Sequence, residues 1–132
     1  MTDMTRDGAM HKDAIISPCG KYRYLLQRSW DAQLKAVCFV MLNPSTADAN
    51  IDDPTIRRCL GFAKALGYGQ IEVVNLFGWR ATDPRELRVV VNPIGTENDE
   101  QLLASAKVCA MTICAWGNSG TFLSRDKSVL GI

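Results

Sequence analysis

The chain has 132 residues, 47% hydrophobic and 22% charged; this is the composition of one ordinary globular domain and excludes disordered and collagen-like classes. Fifteen lysines and arginines against fourteen acids leave a formal net charge of +1. That balance excludes nucleic-acid binding driven by bulk charge, while leaving a local basic patch open. No apolar run approaches the roughly 18 residues of a membrane-spanning helix, so no membrane partner is expected.

Residues 1–16, opening MTDMTRDGAMHKDA, are polar and lack the apolar centre of a signal peptide. They read as a flexible leader on a cytoplasmic protein, with a single α/β domain over 17–132. CGKYRYLLQRSW (19–30) alternates well enough for a strand, suited to a sheet edge, with Tyr22, Tyr24 and Leu26 on one face. KAVCFVML (35–42) is continuously apolar and reads as a strand buried on both faces. Asp53 and Pro54 then give an N-cap and a first helical position. Ile56, Cys59, Leu60, Ala63 and Leu66 follow as one helical stripe, and Gly67 is a natural stop.

QIEVVNLF (70–77) reads as a second buried strand, and GWRATDPREL (78–87) as a loop entering a short helix capped by Asp83. Thr96 to Asp99 resembles a capping box, which predicts a helix over ENDEQLLASA. KVCAMTICAW (107–116) reads as a third buried strand, and TFLSRDKSVLGI as the start of another helix. Strands alternating with helices predict a three-layer α/β/α fold with a mainly parallel sheet and right-handed crossovers. Three core strands would leave a sheet edge open, so the domain reads as C-terminally truncated.

The five cysteines, Cys19, Cys38, Cys59, Cys109 and Cys114, form no C-x-x-C pair. Cys38, Cys109 and Cys114 lie in apolar runs and read as small buried hydrophobes in a reducing compartment. The single histidine, His11, lies in the polar leader, which argues against a Ser-His-Asp triad, a Cys-His pair or a multi-histidine metal site.

Ligands of open parallel sheets bind beyond the carboxyl ends of the strands. Three loops leave such ends here, NPSTADANIDD, NLFGWRATD and WGNSG, and they should converge on one rim. Asn43 and Asn75 end the first two buried strands. An asparagine offers one acceptor and two donors without charge, which suits a nucleobase edge, an amide or an oriented water. The structural alternative is that both only hold turns.

Asp53 is needed as a cap, which leaves Asp48 as the better candidate for chemistry. Ser45 and Thr46 lie between Asn43 and Asp48. Carboxylate and asparagine oxygens near Asp48 and Asp52 suit Mg²⁺, but spacing alone does not build a site, and no cofactor is expected. Three aspartates would also oppose a phosphate at the helix N-terminus. Trp79 and Arg80 could stack on a base, or could cover the sheet edge and pair with Asp83. Trp116 ends the third strand and Gly117 starts a turn.

The segments MLNPSTAD, DDPTIRRCLGFAKALGYG, VVNLFGWRATDP, NPIGTEND and AWGNSG together resemble the family called domain of unknown function 1643, over about residues 20–125. More distantly, MLNPS, VVN and AWG resemble in order the motifs of the uracil-DNA glycosylase superfamily. Met41 and Ser45 stand where that superfamily favours glycine, and its His-Pro stretch is lacking. The resemblance implies a glycosylase-like protein that acts on nucleic acid or nucleotides. Asn43 or Asp48 would then position the attacking water, and Asn75 would read a flipped base. Ser45, Thr46, Trp79, Arg80, Trp116 and Gly117 would line the substrate. The alternatives are a non-catalytic nucleotide-binding module and a metal-dependent hydrolase using the aspartates. The oligomeric state is not legible.

Overall fold

The structure, a computed structural model, describes residues 10–131. Its strands are β1 (His11–Ile16), β2 (Arg23–Ser29), β3 (Ala36–Met41), β4 (Gln70–Asn75) and β5 (Met111–Cys114). Its helices are α1 (Pro54–Ala65), α2 (Asn98–Val108) and α3 (Arg125–Leu130), with 3₁₀ segments at Pro84–Arg88 and Asn118–Ser124. The strands form one sheet in the order β1-β2-β4-β3-β5.

The sheet is mixed, which corrects the expectation of a mainly parallel one. β3 pairs in parallel with both β4 and β5, as the alternation of strands and helices predicts. β1 and β2, however, form an antiparallel hairpin, and β2 joins β4 antiparallel. The leader expected over 1–16 is corrected in the same way. Its residues 1–9 lie outside the described residues, but His11–Ile16 are a strand. HKDAII carries little apolar alternation, because an edge strand is held by main-chain hydrogen bonds and tolerates charge on its surface. With β1 outside it, β2 is an interior strand and not an edge.

α1 forms where local chemistry demands it. The Asp53 carboxylate accepts from the Ile56 N–H at 2.9 Å, and Pro54 takes the first turn. Ile56, Cys59, Leu60 and Ala63 pack on Leu26, Val37, Phe39, Ile71 and Val73 across one face of the sheet. Burial of a side chain such as Ile56 or Leu60 contributes about 1.5–3 kcal/mol. Leu66 is not part of the stripe: it caps the helix and is 54% exposed. The chain turns at Gly67 with φ +87°.

The opposite face packs Leu25, Cys38, Val40 and Val74 with Leu76, Phe77, Leu87 and Leu102, the last from α2. The capping box at Thr96–Asp99 does not form. Glu97 holds the cap position without a side-chain bond, and Asn98 turns fully inward.

β5 also differs from its expectation. Lys107 and Val108 finish α2, and the four-residue strand is largely exposed, since it pairs with β3 alone. An apolar run shows that a strand can be buried, but not that neighbours exist to bury it. Cys114 is accordingly exposed and Cys109 half-buried, whereas Cys38 and Cys59 are buried; all five cysteines are free. None of the described helices is long and apolar enough to cross a membrane.

Candidate functional site

Parallel register brings three strand ends together. Met41 pairs with Asn75, Val40 pairs with Cys114, and the Ala115 N–H donates to Val40 O at 2.8 Å. Side chains alternate along a strand, so Asn75 follows Ile71 and Val73 on the face that α1 covers. It is the polar end of an apolar row. Met41, Asn75 and Ala115 share a cavity of about 190 Å³ with Asn43, Ser45, Thr55, Asp53 and Arg23.

Two residues set the character of this cavity. Asn75 is 1% exposed, and neither its Oδ1 nor its Nδ2 has a hydrogen-bond partner. Arg23 is 2% exposed; its Nη1 donates to Ala47 O at 3.1 Å, and its Nε has no partner. Burial pushes Arg23 down to about 10, against the opposing pull of the Asp53 carboxylate. A buried polar atom without a partner costs about 1–3 kcal/mol, so such atoms are rare unless something else binds them.

The peptide after Asn75 is held tightly. Leu76 O accepts from Asn98 Nδ2 at 3.1 Å and from Arg125 Nε and Nη2 at 3.1 and 2.9 Å. Asn98 Nδ2 also reaches Asn75 O at 2.8 Å. Arg125 is itself buried and pairs with Asp99 at 2.7 Å.

The roof of the cavity is the turn over residues 43–53, and its polar groups are mostly engaged. Asn43 Nδ2 donates to Ala81 O at 2.8 Å and to Pro44 O at 3.0 Å, tying the turn to the loop after β4. Arg28, fully buried on β2, donates from Nε to Asp52 at 2.8 Å and from Nη2 to Asp48 O at 2.6 Å and Ile51 O at 3.3 Å. The Asp48 carboxylate accepts the Asn50 and Ile51 N–H groups, each at 2.8 Å, which holds it below the usual carboxylate range. Burial pushes the Asp52 carboxyl up, but the bond and charge of Arg28, aided by Lys12, outweigh it and leave Asp52 lowered. Asp53 accepts Ile56 N on one oxygen and Ala47 N on the other.

The three aspartates therefore serve three separate jobs and do not fit a Mg²⁺ site. Among the described residues no group of three or more His, Cys, Asp or Glu is placed to hold a metal ion. Asp48 lines neither this cavity nor the next one.

Ser45 also borders a second cavity, of about 400 Å³, with Thr46, Trp79, Arg80 and Lys21. Arg80 does not pair with Asp83, which is bound by Arg85 at 2.8 Å. It reaches Ser45 O at 3.4 Å and Gly20 O at 3.2 Å. Trp79 meets the Tyr22 ring edge-on at 5.4 Å, Lys21 Nζ lies 5.7 Å from its ring centre, and its Nε1 has no partner. Trp116 and Gly117 line neither cavity. Trp116 packs on the core cluster of Cys38, Val40 and Phe77, with Gly120 against its ring. Gly117 makes a turn at φ +73°.

Sequence reasoning thus brings Asn43, Ser45 and Asn75 to one cavity and Ser45, Thr46, Trp79 and Arg80 to its neighbour. It misses Arg23, Thr55 and Ala115. The signal for Arg23 is a charged residue inside the apolar alternation of YRYLL. Ala115 was visible only as the register partner of a strand end.

No curated protein and no solved structure gives a significant match to this chain. The family model described as "Protein of unknown function (DUF1643)" matches residues 23–132, a span that takes in the whole sheet except β1, the whole lining of the cavity under the 43–53 turn and all three helices, and leaves out Gly20 and Lys21 of the second cavity. The chain belongs to the DUF1643 family.

Proposed function

We propose that the cavity under the 43–53 turn receives a nucleobase, and that the protein is a glycosylase-like protein acting on nucleic acid or nucleotides in the cytoplasm. The observation that carries this reading is Asn75, a buried amide whose donor and acceptor are both without a partner inside a polar cavity. Such an amide complements an edge that offers a carbonyl beside an N–H. A volume of about 190 Å³ suits a heterocycle better than a whole nucleotide. The base would be flipped in, while the flanking backbone follows the neighbouring cavity past Thr46, Trp79 and Arg80. The helices on both faces and the order of the strand-end motifs support a three-layer arrangement like that of the uracil-DNA glycosylase superfamily. This part of the reading is a fold-level analogy.

In the catalytic form of this reading, Asn43 orients the water. Its Nδ2 is committed to Ala81 O and Pro44 O, and among the described residues its Oδ1 accepts no hydrogen bond. The water oxygen bonds to the sugar C1′, the C1′–N bond breaks with its electron pair leaving on the base, and the proton that the water loses passes through solvent to the departing base. Asp48 acts indirectly, by shaping the turn.

One observation favours a non-catalytic binding module on the same cavity. Asp53 is the carboxylate that lines it, and both its oxygens already accept backbone N–H groups, so it is poorly placed to take that proton. Oligonucleotides carrying uracil or modified bases separate the two readings. Abasic-site formation that falls at least tenfold in Asn43→Ala and Asn75→Ala supports catalysis. Binding without cleavage, lost in Asn75→Ala, supports the module. Activity or binding that survives both substitutions would sink the site.

A further inference from the structure

Parallel strands are ordinarily covered on both faces. β5 pairs in parallel with β3 alone, and on the α1 side of the sheet it leaves a groove of about 700 Å³ between itself and α1. Phe39 and Met41 of β3 form its floor, Phe62 and Ala65 of α1 one wall, and Ile113 and Ala115 the other. Met111 continues that wall, since the Tyr68 hydroxyl after α1 reaches its Sδ at 3.6 Å. Phe62 is 55% exposed and Met111 49%, so apolar surface of both walls stands in water. An apolar groove of this kind marks a place where something else packs.

The wall formed by α1 says what packs there. Gly61 lies in the middle of the helix and lines the groove, and a Cβ built on it meets no atom within 4 Å. Glycine is a poor helix former, and nothing within the described chain crowds this position. With Ala65 one turn further on, it leaves a shallow bed beside Phe62. Helices pack about 8–10 Å apart according to the side chains between them, and small residues favour the short end. The charge on this helix is all of one sign: α1 carries Arg57, Arg58 and Lys64 and no acid. Arg57 donates to Asp52 O at 3.3 Å, and Lys64 Nζ lies 5.3 Å from the Trp30 ring centre. Arg58 lines the groove and belongs to none of the ion pairs among the described residues. A second copy seated through the same face would set one basic helix against another, which charge opposes.

We propose that this groove is the docking site for an amphipathic helix of a partner protein, with its apolar row on Met41, Phe62 and Ile113, its backbone close over Gly61, and acidic side chains on the flank that meets Arg58. Recognition is by an apolar face laid in a groove, with the charge at the rim selecting the partner. The groove shares Met41, Thr55 and Ala115 with the cavity under the 43–53 turn, but the proposal does not depend on what that cavity binds.

The test uses two labelled helical peptides of about 18 residues with the same leucine row, one flanked by glutamate and one by lysine. Each is titrated with the full chain and followed by fluorescence anisotropy. The glutamate peptide is expected to bind at least tenfold more tightly, and the difference should shrink as salt is raised. Arg58→Glu should reverse the order. Gly61→Leu fills the bed and should lower affinity at least tenfold, while the thermal melt stays level or rises because leucine is the better helix former. If Gly61→Leu does not fold, the peptide pair and Arg58→Glu decide alone. Equal binding of the two peptides, binding of neither, or unchanged affinity in a folded Gly61→Leu overturns the proposal. A concentration-dependent dimer in light scattering that Gly61→Leu splits assigns the groove to a second copy, and overturns it as well.

Discussion

The turn over residues 43–53 and the cavity beneath it use the same kinds of side chain in opposite ways. In the turn, Asp48, Asp52 and Asp53 each meet a backbone N–H or Arg28, and the Arg28 guanidinium binds four carbonyls and a carboxylate. In the cavity, the Asn75 side-chain amide has no hydrogen-bond partner, and the Arg23 guanidinium meets a single carbonyl. Two buried arginines on one strand, Arg23 and Arg28, thus have different employment. One staples a loop, and the other keeps hydrogen-bonding capacity in reserve. A polar group with its bonds made contributes to the fold, whereas one left without them subtracts from stability until a ligand arrives. Polar residues crowd this turn for the first reason, and the proposed site lies underneath it for the second.

Mutations can break this contrast in order of expected effect. Arg28→Ala should be the most damaging, because it strands Asp52 and several loop carbonyls; a loss of about 3–5 kcal/mol is expected in urea unfolding. Asp53→Ala removes the α1 cap and should cost about 1–2 kcal/mol by the same measurement. Asn75→Leu is the sharpest case. It replaces a buried amide that has no partner, so stability should change by less than about 1 kcal/mol, and could rise, while base binding disappears. If Asn75→Leu unfolds the protein as Arg28→Ala does, the contrast between turn and cavity is wrong.

Acid should give the smallest effect. Asp48 and Asp52 are lowered in the folded chain, so their stabilising contribution is complete above the ordinary carboxylate range. It fades as the pH falls through their lowered values. Unfolding followed at pH 7 and at about pH 3 should show this loss, and Asp48→Asn should reduce it. An Asp48→Asn chain with an unchanged acid response would remove Asp48 from the turn's electrostatics.

What the sequence revealed depended on how local the cause was. Asp53 and Pro54 announce α1 because a cap and a first turn need only adjacent residues. Asn75 was legible because the end of a strand and its two-residue period lie within one short segment. The capping box at Thr96–Asp99 looked equally local, yet Asn98 had a better use inside, binding Asn75 O and Leu76 O. β1 was missed because its stabilisation comes from the main chain of β2. β5 read as buried because its sequence says nothing of how many neighbours it has. Asp48 looked spare only because an aspartate that binds its own loop carries no sequence mark beyond its position. Arg23 was hidden for the reverse reason, since a charged residue in a strand ordinarily points to water.

The carbonyl of Leu76 ties the order of synthesis to the state of the site. It is gripped by Asn98 and by Arg125, a residue close to the last part of the described chain. A ribosome makes Arg23, Asn43 and Asn75 long before Arg125, so the early elements can pair while the peptide beside Asn75 still lacks its final clamp. A nascent chain stalled before Arg125 would hold the cavity's residues without the anchor that fixes them, and should bind ligand poorly even with the sheet formed. The emergence of Arg125, rather than the completion of the strands, is then expected to be the event that fixes the peptide beside Asn75.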